Sequence, residues 1–105
     1  MNLFEAISEV QDKSEDDVIF AKKPFTVESD SLISKLDHDL GIPEEITSQG
    51  YSYFLEQFLV KELIEDAADL KISKEKHVEL VLFYGIHDAY PEWYYQYNSG
   101  NQTNA

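Results

Sequence analysis

Glu62, Glu65, Asp66 and Asp69 recur at i, i+3, i+4 and i+7 within the segment YSYFLEQFLVKELIEDAADLK. On a helix this spacing sets all four carboxylates on one face. Like charges four residues apart weaken an isolated helix by about 0.2–0.5 kcal/mol a pair. Lys61 is placed to pair with Glu65, but nothing on the same helix neutralises Asp66 or Asp69. Such a face is either simply solvated or held ready for a basic partner. Asp16 and Asp17 belong to a second acidic run, Glu15-Asp16-Asp17. The LDHDL stretch at 36–40 and Glu44-Glu45 form a third.

FYGIHDAYPEWYYQY, residues 83–97, carries seven aromatic side chains and the pair His87–Asp88. Adjacent helical residues point about 100° apart, so His87 and Asp88 do not make a catalytic dyad. The chain has no cysteine and no serine in a Gly-x-Ser-x-Gly setting to serve as nucleophile. The histidines, His38, His77 and His87, lack zinc-ligand spacing, and the four glycines form no phosphate-binding loop. The residues therefore predict no enzyme, no cofactor and no metal. His87 fits a helix C-terminus, where the macrodipole favours a cation. Phe83 and Trp93 are expected in or near the core. Tyr94 and Tyr95 are expected as anchors for a protein partner, since tyrosine supplies contact area at low entropic cost. A base-stacking platform would need cations nearby, whereas the neighbours here are Asp88 and Glu92.

Twenty-one acidic residues face eight basic ones, for a formal charge of −13, and every basic residue is lysine. Without arginine there is no bidentate clamp for phosphate, and direct nucleic-acid binding is not expected. High net charge also serves solubility. The absence of cysteine leaves no disulfide framework. MNLFEAISEV lacks the basic start of a signal peptide, and no apolar run nears the roughly 20 residues that cross a bilayer. A cytoplasmic protein with no membrane association is expected.

These residues must be carried by a small domain. Leu3, Phe4, Ile7 and Val10 mark an amphipathic helix behind Asn2 as N-cap. DVIFA predicts a strand at 17–21, SLISKL a half-buried one at 31–36, and Phe25–Val27 a further edge. PEEITSQ reads as a short helix closed by Gly50, with Gly41 free for a turn before it. Phe54, Leu55, Phe58, Leu59, Leu63, Ala67 and Leu70 form a helical stripe, although Tyr51–Leu55 alone could be a strand with the helix starting near Gln57. Ser73 caps a last helix with an inner face of Val78, Val81, Leu82, Gly85, Ile86 and Ala89, widened by Leu80 and Phe83 and stopped by Pro91. The fold class is α+β: one domain over 1–97, three to four helices on a two- to four-stranded sheet, then a frayed tail at 98–105.

GYSYFLEQFLVKELIEDA followed by HVELVLFYGIHDAYPEW resembles a family of small acidic bacterial proteins that includes immunity proteins of contact-dependent growth inhibition systems. The likeness rests on the aromatic YFLE start of Tyr53–Glu56 and the Tyr-x-x-x-Asp-Ala element of Tyr84–Ala89, and spans roughly residues 50–93. It implies a non-enzymatic α+β domain that binds and neutralises the C-terminal domain of a cognate toxin, in a 1:1 complex. Many such toxins are basic nucleases, several of them ribonucleases. No binding residue carries over by position, so the expected contacts come from charge and aromatic content: Glu62, Glu65, Asp66 and Asp69, with Asp16, Asp17, Tyr94 and Tyr95. The alternative is an acidic nucleic-acid-mimicking adaptor that engages a basic host protein.

Overall fold

A computed structural model describes the backbone of residues 1–103 and the side chains of 1–97. The order of elements is α1 (Leu3–Val10), β1 (Asp17–Ala21), β2 (Ser31–Lys35), α2 (Glu44–Thr47), β3 (Ser52–Glu56), α3 (Gln57–Asp66), a 3₁₀ turn (Ala68–Leu70), α4 (Lys74–His87) and α5 (Glu92–Thr103). The architecture is α+β, with five α-helices among the described residues where three or four were expected. The strands form one antiparallel sheet in the order β2-β1-β3.

β1 owes its central place to an unbroken apolar run. Ile19 and Ala21 enter one core cluster and Val18 and Phe20 another, so the strand is buried on both faces. α1, α3 and α4 cover the first face with Leu3, Ile7, Val10, Val60, Leu63, Val78 and Val81. α2 covers the second with Ile46. β2 alternates as an edge strand does, with Ile33 opposite Ile19 and Leu32 opposite Phe20.

β3 departs from alternation. Tyr53 pairs with Phe20 and Leu55 with Ile19, so Phe54 is the extra residue of a β-bulge. The bulge turns two consecutive side chains, Phe54 and Leu55, into the same core cluster. It also explains why this segment imitates a helical stripe in the sequence.

Local signals hold at the helix starts. Asn2 Oδ1 accepts from Glu5 N at 2.8 Å while Asn2 N donates to Glu5 Oε1 at 2.9 Å, a complete capping box. Ser73 Oγ accepts from Lys76 N at 3.1 Å at the start of α4. Gly50 lies just past α2 with φ +88°. At the preceding turn, Leu40 rather than Gly41 takes the positive φ, at 67°.

Several expectations are corrected. Phe25–Val27 is no edge strand: it is tied into a loop by Thr26 N to Ser29 Oγ (2.8 Å) and Ser29 Oγ to Pro24 O (2.9 Å), and Phe25 packs edge-on against Phe54. α4 ends at His87, because Asp88 turns left-handed at φ 55°, before Pro91 can act. Ile86 and Ala89 are consequently exposed, while Leu80 is buried in a separate cluster with Ala67 and Leu70. Glu92–Thr103 is helical where an irregular outward run was expected. The terminal tail expected at 98–105 lies outside the residues whose side chains are described.

Candidate protein-binding surface

α3 begins at Gln57, which fixes its faces. Gln57, Val60 and Leu63 turn inward, so Phe58, one residue out of phase, is displaced to the surface and is 45% exposed. Glu62, Glu65 and Asp66 are exposed as well. These four residues, with Glu15 from the α1–β1 connection, line a shallow concavity of about 500 Å³. Lys13 and Lys61 also border it, leaving four carboxylates against two ammonium groups. The Lys61–Glu65 pair expected from their spacing is not formed: the ion pairs among the described residues join Lys35 to Asp16 and Asp17, and Lys76 to Glu79. Both side chains are exposed, and water competes effectively for such pairs.

Asp69 parts from the other three. The α-helix stops at Asp66, Ala67 is its C-cap, and Asp69 sits on the following 3₁₀ turn, which ends at Lys71 with φ 55°. The single acidic face read from spacing is thus broken at Ala67, and the 3₁₀ turn is the element against which α5 packs.

Asp66 is joined to the aromatic segment. Tyr90 Oη donates to Asp66 Oδ2 at 3.2 Å across 24 residues of chain. Burial, with the Asp66 carboxylate second, pushes the Tyr90 hydroxyl up to about 12. The Tyr90 ring stacks on Tyr94 at 4.5 Å and 13°, and Tyr95 stands edge-on to both, at 6.2 and 5.7 Å. Tyr94 is half-buried against the Leu70–Leu80 cluster, while Tyr95 is 56% exposed. Trp93 is half-buried in the same cluster, with Lys76 Nζ 4.4 Å from its ring centroid.

Asp16 and Asp17 are placed differently. The register that pairs Asp17 with Lys35 brings Lys35 Nζ within 2.7 Å of Asp17 Oδ1 and 3.1 Å of Asp16 Oδ1. Asp17 Oδ2 accepts from Ser14 N at 3.0 Å, so both oxygens of this carboxylate are engaged within the chain. The Ser14 hydroxyl, and then Lys35, hold the Asp16 carboxyl below its ordinary range. This patch lies beside β2 and carries its own counter-charge.

His87 lies against Phe83, with ring centroids 4.3 Å apart, and Asp88 N donates to Tyr84 O at 2.8 Å as the helix cap. Among the described residues no hydrogen bond joins His87 to Asp88 and no group of three His, Asp or Glu side chains could hold a metal ion. No helix of the described chain is long and apolar enough to cross a membrane.

Sequence reasoning missed Tyr90 as the link between acidic and aromatic residues, a contact between distant segments that no local spacing encodes. It also misplaced Phe58, whose exposure follows from the helix start at Gln57. No family model, curated protein or solved structure matches the chain.

Proposed function

We propose that this protein is the immunity partner of a bacterial toxin, binding a cognate basic toxin domain in a 1:1 complex and neutralising it without catalysis. The target is a nuclease, most simply a ribonuclease, whose cationic substrate cleft is occluded by carboxylates, and the inhibitor acts in the cytoplasm. The observation that carries the reading is the exposed acidic face of α3, Glu62, Glu65 and Asp66, set beside the exposed Phe58 ring at a concavity. Together they combine a long-range attraction for a basic protein with an apolar contact that excludes water. The charge of −13 extends the attraction beyond contact distance. A standard interface takes about 800 Å² from each partner, roughly an eighth of the 6465 Å² this chain exposes.

The test is capture of partners by the tagged full chain from lysate of its native strain, at about 0.15 M and 0.5 M salt, ionic strengths that bracket strong screening. One dominant basic protein, toxic when expressed alone and rescued by co-expression, is the expected result. Many weakly bound basic proteins would instead identify an acidic adaptor. Recovery of no basic protein at either salt would overturn the reading.

A further inference from the structure

Within the proposed binding of a basic protein, on which this inference rests, we propose that the partner is gripped through arginine side chains stacked on the tyrosine corner at the start of α5. The corner is built from Tyr90, Tyr94 and Tyr95, with Asp66 at its edge.

The corner is an aromatic cluster that the fold covers only in part: Tyr90 and Tyr94 are half-buried and Tyr95 is exposed. Tyr90 and Tyr94 give a parallel pair, Tyr95 adds a perpendicular ring, and Tyr95 remains 56% exposed although α5 packs on the 3₁₀ turn. A tyrosine ring left open at the surface suits a protein contact, since it offers an apolar body with a polar tip. Charge then selects the occupant. Asp66 is bonded to the corner through Tyr90, Asp69 lies on the turn beneath α5, and Glu92 opens α5 itself; all three are exposed. A second copy of this chain, also at −13, would bring like charges together here.

The chain's own lysines show what the rings of this protein attract. Lys22, Lys23, Lys74 and Lys76 lie 4.4–5.9 Å from the ring centroids of Tyr51, Phe25, Phe4 and Trp93. Among the described residues no lysine lies over Tyr90, Tyr94 or Tyr95, although the Asp66 carboxylate is bonded to Tyr90. A cation supplied from outside fits that arrangement. Arginine suits it better than lysine: the planar guanidinium stacks on a ring while donating in-plane to a carboxylate such as Asp66, and it is less strongly hydrated than an ammonium.

The experiment maps two synthetic peptides of equal length and charge, hexa-arginine and hexa-lysine, onto the full chain by NMR chemical shifts and by calorimetry. The expected result is hexa-arginine binding at least about threefold tighter than hexa-lysine, as a stacking preference of less than 1 kcal/mol would give, with the largest shifts at Tyr94, Tyr95 and Asp66. Tyr95→Leu, which keeps apolar bulk but removes the ring, should abolish that preference. Tyr95→Phe should retain it. Circular dichroism confirms that both variants fold. Equal affinity for the two peptides, shifts centred on Glu62 and Phe58, indifference to Tyr95→Leu, or no binding of either peptide would each overturn the arginine corner. None of these touches the toxin-binding reading, which the capture experiment decides separately.

Discussion

The Phe54 ring packs on Gly85 so closely that a Cβ at Gly85 would lie 2.4 Å from ring atoms Cε1 and Cζ. The bulge in β3 drives Phe54 into α4, and only a residue without a side chain leaves room for it. Gly85→Ala gains about 1 kcal/mol in helix propensity but overpacks the core, at a cost of about 1–3 kcal/mol. Urea denaturation should show a net loss of stability. The double variant Gly85→Ala/Phe54→Leu should recover part of what the single one loses, because the smaller side chain clears the site.

Tyr90 gives the protein an alkaline signature. Its hydroxyl is raised to about 12, first by burial and then by Asp66. A raised folded value stabilises the protonated phenol, so the contribution is complete below the ordinary tyrosine value near 10 and fades as pH climbs from about 10 to 12. Asp66→Asn should lower the Tyr90 titration point yet leave it above the ordinary value, since burial is the larger cause. Tyrosinate absorbance during alkaline titration, compared with Tyr90→Phe, reads it directly.

Acid should act on the turn before β1. Asp16 is held below its ordinary range by Ser14 and Lys35, so its contribution is present above the unfolded aspartate value near 4 and is lost as pH falls through the lowered one. Carboxyl NMR titration should find Asp16 titrating below ordinary aspartate values. Lys35→Ala should raise that point and lower the urea midpoint. It should do so more than Asp16→Asn, because Lys35 also serves Asp17, whose side chain is 14% exposed.

The two acidic regions should separate kinetically in the captured complex. Glu62→Lys with Glu65→Lys reverses exposed charges beside Phe58 and should slow association by about tenfold at low salt, with less effect on dissociation. Asp16→Lys, in a patch that carries its own counter-charge, should change the rate by less than about twofold. Phe58→Ala should weaken binding chiefly through faster dissociation while shifting stability by less than about 0.5 kcal/mol, as its exposure implies. Stopped-flow measurement at low and high salt distinguishes these outcomes.

Much of the scaffold was legible where one local signal decides the conformation. Asn2 and Ser73 cap helices as their side chains dictate, Gly50 takes the positive φ its position asks for, and DVIFA forms the strand that its continuous apolar run predicts. The candidate surface was half legible. Glu62, Glu65 and Asp66 share an exposed helical face, as their spacing requires; the stripe drawn through Phe54, Leu55 and Phe58 merged a bulged strand with a helix, whereas the alternative of a strand there with the helix starting near Gln57 is what forms. Two consecutive inward residues at a bulge look the same in sequence as two neighbours on a wide helical face.

The amino-acid sequence by itself determined the balance of charge, the lack of arginine and cysteine, the helix caps and the strand at 17–21. Each depends on composition or on neighbours within a few residues. Tertiary structure alone decided that Asp69 leaves the acidic face, that Asp17 is tied to Lys35, that Phe58 surfaces, and that Tyr90 reaches Asp66. Those outcomes depend on where an element stops and on what a segment 18 to 24 residues away brings to it, and packing of the whole chain sets both.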